Sequence, residues 1–143
     1  MKTMTEMVKV RSNSLYEEKI GYSRVIAIGD WILVANTAGR NFTTREMPAD
    51  AAAQTVQAFK NVEGALASVG ATLADVVRSR IAIPYLEDKE AILAIVGERF
   101  RGIDPVATVT ATPLAAPEYR FEIEVTAYRN AASLDQKRLS IVL

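Results

Sequence analysis

The sequence predicts an α+β fold in two layers, one mixed β-sheet with two helices packed on one of its faces. Three observations predict it. Apolar residues recur at spacings of three and four between residues 50 and 70, with a second helical stretch from 87 to 100. Strict alternation of apolar and polar residues marks the segment from Tyr119 to Tyr128. The elements interleave in the order β-β-α-β-α-β-β, and 143 residues leave room for one domain, residues 1–143.

Residues 1–20 read as polar and irregular apart from Val8-Lys9-Val10-Arg11, a short strand. Arg24 to Ile28 and Trp31 to Asn36 are apolar runs separated by Gly29-Asp30, a hairpin signal. In the second run Trp31, Leu33 and Ala35 face one way and Ile32 and Val34 the other, so both faces of that strand need cover. After the polar loop Thr37 to Glu46, Pro48 and Asp50 supply a helix start. Ala52, Val56, Phe59, Val62, Leu66 and Val69 form the apolar stripe of that helix, and Gly70 ends it.

Val77, Ser79, Ile81 and Ile83 then alternate with Arg78, Arg80 and Ala82 as in a strand. Glu87 to Phe100 is the second helix, with Ile92, Ile95, Val96 and Phe100 on one side. Ala107 to Thr112 alternates small or apolar residues with hydroxyls, and Pro113 to Pro117 connects it to the last strand. There Phe121, Ile123, Val125 and Ala127 form the core face, against Glu122, Glu124, Thr126 and Tyr128. Two helices cover only one side of such a sheet, so the other side is expected to meet further copies of the chain in a closed homo-oligomer. The tail from Ala131 to Leu143 either docks as an extra strand or frays.

Composition removes whole classes of function. The 17 basic and 17 acidic side chains cancel, so no net field draws the chain to nucleic acid or to an anionic membrane. The chain has neither Cys nor His. That excludes disulfides, Ser-His and Cys-His nucleophile pairs and thiolate or imidazole zinc sites, and leaves acid–base work to Asp, Glu, Lys, Tyr or water. No acidic cluster has the spacing of a calcium loop, and neither a metal nor an organic cofactor is expected. Met1 to Met7 lacks the apolar core of a leader, and the longest apolar run, Ala91 to Val96, is far short of a ~18-residue span. The expectation is a cytoplasmic protein without a membrane partner.

Six strings stand in order along the chain: Gly21-Tyr22-Ser23-Arg24, Gly29-Asp30-Trp31, Asn61-Val62-Glu63-Gly64-Ala65-Leu66, Gly70 to Val77, Pro105-Val106-Ala107-Thr108, and Phe121-Glu122-Ile123-Glu124-Val125-Thr126-Ala127. Together they resemble the Rid family, the reactive-intermediate enamine/imine deaminases also called YjgF-type, over Gly21 to Arg129, the domain core 21–129. The resemblance implies a chorismate-mutase-like fold and a homotrimer with ligand clefts between subunits. It also implies hydrolysis of a small enamine or imine. Family deaminases clamp the substrate carboxylate with an arginine in a Pro-Ala-Arg-Ser/Thr string, position the attacking water with a glutamate of the final strand, and line the cleft with a tyrosine near the first strand. The tyrosine matches Tyr22 and the glutamate matches Glu122, but the arginine position is Ala107. The loop Ala35-Asn36-Thr37 departs too, where many members carry Ser-Gly and a polar residue. A methyl group cannot replace charge-assisted hydrogen bonds worth ~1.5–3 kcal/mol each, which implies an altered substrate.

Glu122 is thus the candidate catalytic residue, with Glu124 about 6–7 Å further along the same strand face. Repulsion and partial burial at an interface would raise one pKa; the competing reading is two ion-paired carboxylates on an outer face. Tyr22, Thr37, Arg80 and Thr108 are the candidate substrate-binding residues. Arg24, Arg78 and Arg80 could each supply the missing cation; Arg80 is preferred, against its reading as partner of a neighbouring Glu. Tyr22 competes with an ordinary packing role, and the threonines with strand propensity. The leading function is an enamine/imine deaminase-like hydrolase acting on a small reactive metabolite at an inter-subunit cleft. The alternative is a non-catalytic trimer that binds a small metabolite or partner protein there. Ribonuclease or translation-inhibitor activity ranks third, for want of a His and of a basic, aromatic-rich strip.

Overall fold

The computed structural model describes residues 4–143; Met1 to Thr3, part of the amino-terminal stretch read above, lie outside the described residues. In chain order the elements are β1 (Met7–Val10), α1 (Leu15–Ile20), β2 (Val25–Ile28), β3 (Trp31–Ala38), α2 (Ala51–Ala67), β4 (Val76–Ala82), α3 (Lys89–Phe100), β5 (Val106–Thr110) and β6 (Glu122–Tyr128). The strands make one six-stranded sheet in the order β1-β2-β3-β6-β4-β5. Only β4 and β5 are parallel, joined across α3; the other neighbours are antiparallel. This is the mixed sheet and two-layer α+β arrangement that the pattern predicts.

One core lies between the sheet and its helices. Ile32 and Val34 of β3, Ile81 of β4 and Ile123, Val125 and Ala127 of β6 meet Phe59, Val62 and Leu66 of α2 and Ile92 of α3. Phe59 anchors it, edge-on to Phe100 at 5.3 Å between ring centroids and stacked on Phe121 at 6.3 Å. Such aromatic pairs contribute ~0.5–1.5 kcal/mol each beyond burial. The opposite face keeps Trp31 and Leu33 of β3 about half exposed.

Four details depart from the periodicity. Residues 1–20 contain α1, which Ser14 starts by accepting from the Tyr16 N–H and Gly21 ends in the left-handed region at φ 84°. The inward stripe of α2 is rotated from the expected one: Gln54, Thr55 and Ala58 are buried, whereas Ala52 and Val56 are half-buried. Gln54 is tolerated there because it donates to the Pro48 and Glu118 carbonyls and accepts from the Arg120 N–H. In β4 the core residue is Val76 rather than Val77, because the register against β6 slips between Val76 and Arg78. Finally, β6 starts at Glu122 rather than Tyr119, and the tail pairs with no strand. Leu139, Ile141, Val142 and Leu143 are exposed beyond Arg138, which bonds to Asp104 and to the Gly102 carbonyl.

Candidate functional site

The site begins with a bulge. Val34 faces Val125 and Thr37 faces Ile123, so two residues of β3, Ala35 and Asn36, stand where β6 has Glu124 alone. The extra residue reverses the alternation. Before it, Ile32 and Val34 point into the core; after it, Thr37 and Gly39 are buried, and Asn36, Ala38 and Arg40 line a cleft. Ala38 pairs across the ladder with Glu122, the first residue of β6, which lines the same cleft.

The cleft has a volume of about 220 Å³, and its lining is largely apolar, with four aromatic rings: Tyr16 from α1, Tyr22, Phe42 and Tyr119. Behind it lies a buried ion pair. Arg24 Nη2 is 3.3 Å from Glu17 Oε2, with the two side chains 7% and 1% exposed. Glu17 also accepts from the backbone N–H and the hydroxyl of Ser12. Arg24 further donates to the Asn36 carbonyl at 3.1 Å, the Thr37 hydroxyl at 3.2 Å and the Tyr22 hydroxyl at 3.3 Å. Its guanidinium lies 5.5 Å from the ring centroids of both Tyr22 and Phe42. One residue thereby fixes α1, the bulge and two walls of the cleft.

Glu122 is half-buried, and burial pushes its carboxyl above the ordinary carboxylate range; the charge of Arg24 and the hydrogen bond from Asn36 Nδ2 to Oε2 pull against that rise without cancelling it. Burial likewise pushes the Tyr119 phenol up, with Arg40 opposing it. The arrangement is a carboxyl with raised proton affinity, oriented by an amide, in an apolar cleft that also holds cations.

Of the residues named from sequence, the structure brings Tyr22, Arg24 and Glu122 together, with Arg24 already paired to Glu17. Arg80 and Thr108 line an adjoining depression with Glu124, which shares only Asn36 with the cleft. There Arg80 Nε is 3.2 Å from Glu124 Oε1, with both side chains about half exposed, so the paired reading of this arginine is the one observed. Thr37 lines neither depression; it is fully buried, donates to the Ala35 carbonyl at 2.7 Å and accepts from Arg24. Arg78 is exposed on β4. Ala107 faces Ser79 and lines a separate groove against Val96 and Phe100, where the Ser79 hydroxyl is buried without a hydrogen-bond partner among the described residues. Asn36 was noted only within the departing loop Ala35-Asn36-Thr37, and Tyr16, Arg40, Phe42 and Tyr119 were not singled out from sequence. The available signal was Asn36-Thr37, a polar pair interrupting an apolar strand.

The match to known proteins extends over this whole assembly. The family model described as Endoribonuclease L-PSP matches residues 14–129. An uncharacterised protein of Streptomyces coelicolor is 30% identical over 124 residues, which cover 86% of this chain and 92% of that protein. A 2-iminobutanoate/2-iminopropanoate deaminase of Dermatophagoides farinae is 30% identical over 120 residues, covering 81% and 92%. Among solved structures, a member of the YjgF/YER057c/UK114 family from Mycobacterium tuberculosis superposes with a TM-score of 0.78 at 37% identity, over 86% of this chain and 99% of that one. The YjgF gene product of E. coli, at 22% identity, shares the fold with a TM-score of 0.76, over 85% and 98%. From α1 to the end of β6, bulge and cleft included, this chain belongs to the Endoribonuclease L-PSP family, the YjgF/Rid family.

Proposed function

We propose that the protein is a cytoplasmic hydrolase of small enamines or imines, a deaminase acting at C=N bonds, with Glu122 as its acid–base residue and Tyr22 as a wall of the site. The observation that carries this reading is the half-buried Glu122 carboxyl, oriented by Asn36 and raised in proton affinity inside an aromatic cleft. Asn36 holds Oε2, and Oε1 carries the water. The carboxylate takes a proton as the water oxygen adds to the C=N carbon and gives it to nitrogen, forming a carbinolamine; it then takes the carbinolamine hydroxyl proton and passes it to nitrogen as the C–N bond breaks, so that ammonia leaves and a carbonyl remains. A base whose pKa lies closer to the working pH both accepts and returns a proton readily. The reaction requires no metal, and imines hydrolyse readily enough that positioning and one such group suffice.

The cleft would be completed in a homotrimer. Trp31, 53% exposed and edge-on to Tyr128 at 5.0 Å, and Leu33, 46% exposed, present apolar surface on the uncovered sheet face, which suits a second copy of the chain. Sedimentation at micromolar protein is expected to give three times 15.6 kDa; a monomer would remove this part of the proposal.

The reaction is tested by generating short-lived imines in situ and following their decay. Glu122→Gln keeps an acceptor for Asn36 and is expected to lower the rate by ~10²–10⁴-fold. Because the working form is the carboxylate and burial raises its pKa, wild-type activity should fall with acidification at a pH above the ordinary carboxylate range. A rate indifferent to Glu122→Gln sinks the mechanism. The second reading, a non-catalytic trimer that binds a metabolite or partner protein, is favoured by Ala107, which supplies no guanidinium and lies in another groove; wild type without any acceleration would select it. Zero net charge and the lack of His weigh against the ribonuclease reading.

A further inference from the structure

We infer that Arg40 is the anion-recognising residue of the cleft, and that its ligand is a carboxylate carrying an aromatic or comparably large apolar side chain. This deepens the proposed function and rests on the same cleft being the reactive one.

Two cations line the cleft, and they differ in what they already hold. Arg24 is matched to Glu17 in a buried pair and spends its remaining donors on Asn36, Thr37 and Tyr22. Arg40 takes part in none of the ion pairs among the described residues. Its Nη1 donates to the Arg45 carbonyl at 2.8 Å, its guanidinium lies 6.0 Å from the Tyr119 ring and interacts with the Tyr119 hydroxyl, and the side chain lines the cleft with part of its donor fork left over for a ligand. A guanidinium has five N–H donors, and one that is backed by an aromatic face and lacks a carboxylate partner in an apolar cleft favours an anionic ligand.

Placement fits a particular anion. Ala38 is the ladder partner of Glu122, and Arg40 lies two residues further on, just past the end of β3, with both Arg40 and Glu122 lining the cleft. In a 2-imino acid the carboxylate is bonded directly to the C=N carbon. The clamp and the water-holding carboxyl must therefore stand several ångströms apart, with the ligand between them. The same guanidinium offsets the repulsion between the ligand carboxylate and Glu122. The walls set the rest of the ligand. Tyr16, Tyr22, Phe42 and Tyr119 line a volume of about 220 Å³. Four rings lining one cleft offer faces to an aryl or other large apolar group, which a three-carbon acid lacks.

Unreactive probes separate binding from turnover. Titrated calorimetrically into the intact protein, 3-phenylpropanoate is expected to bind about tenfold or more tightly than its uncharged amide and than propanoate. Arg40→Gln, which keeps a donor for the Arg45 carbonyl, should bind acid and amide alike. Arg40→Lys should recover part of the preference, and Glu122→Gln should bind the acid at least as tightly as wild type. An acid preference that survives Arg40→Gln overturns the inference, as does propanoate binding as tightly as phenylpropanoate. Should phenylpropanoate bind through Arg40 while no imine is hydrolysed, the inference stands and the hydrolase reading falls. Should imines be hydrolysed with KM unchanged in Arg40→Gln, the hydrolase reading stands and the inference falls.

Discussion

Glu17→Ala is expected to cost about 3–5 kcal/mol of folding free energy, the range for removing one member of a buried ion pair. The loss comes from what is left behind. The Arg24 side chain, 7% exposed, keeps its bonds to Asn36, Thr37 and Tyr22 but loses the carboxylate with which it is ion-paired among the described residues. Ser12 loses the acceptor for its N–H and hydroxyl. Urea unfolding measures the loss, and a double-mutant cycle with Arg24→Leu identifies it: the double variant should recover much of the stability, since an apolar replacement of both partners leaves no orphaned charge. A single-mutant loss under about 1 kcal/mol, the range of an exposed pair, would contradict the burial on which the argument rests.

Gly39→Ala is the second large effect, expected at about 3 kcal/mol or more. The reason is space. A Cβ on Gly39 would fall 2.1 Å from the Gln54 carbonyl oxygen and 2.5 Å from its Cα, so the backbone of α2 would have to withdraw from β3. No side-chain rotation relieves such a contact. The displacement would also reach the cleft, because Gln54 holds the Glu118 carbonyl and the Arg120 N–H on the approach to β6 and Glu122. Gly39→Ala should therefore lower the melting temperature and imine turnover together; a variant with wild-type melting and activity would show that α2 does not approach so closely.

The architecture was legible because its signals are periodic. Phe121, Ile123, Val125 and Ala127 alternate without interruption and all four are buried, and Phe59, Val62 and Leu66 recur at helical spacing and meet in one core. The candidate site was legible only in part. Tyr22 and Glu122 followed from resemblance, and the structure places both in one cleft. The rest depends on events that periodicity cannot register. A bulge becomes visible only against the partner strand, as Ala35 and Asn36 do against Glu124 and Val77 does within β4. Thr37 was read as a ligand hydroxyl at the start of a polar loop; the strand in fact runs on through it to Ala38, and the bulge turns it inward, onto Arg24. Six residues of α1 are too few to show a helical repeat, so the burial of Glu17 went unseen. Arg40 lies beyond the end of β3 in a polar loop, where sequence alone does not separate a lining residue from a solvated one.

The strand order has a bearing on how the polypeptide matures. The last strand in the chain, Glu122–Tyr128, is inserted between β3 and β4, strands that precede it by many tens of residues. While the nascent polypeptide is still leaving the ribosome, the β1-β2-β3 meander and the β4-α3-β5 crossover can each form, yet both wait with an open edge facing the gap. Those edges are templates for misplaced pairing with other molecules until Tyr128 emerges, so the completion of folding is a late, long-range event and the half-made product is the form most in need of a chaperone.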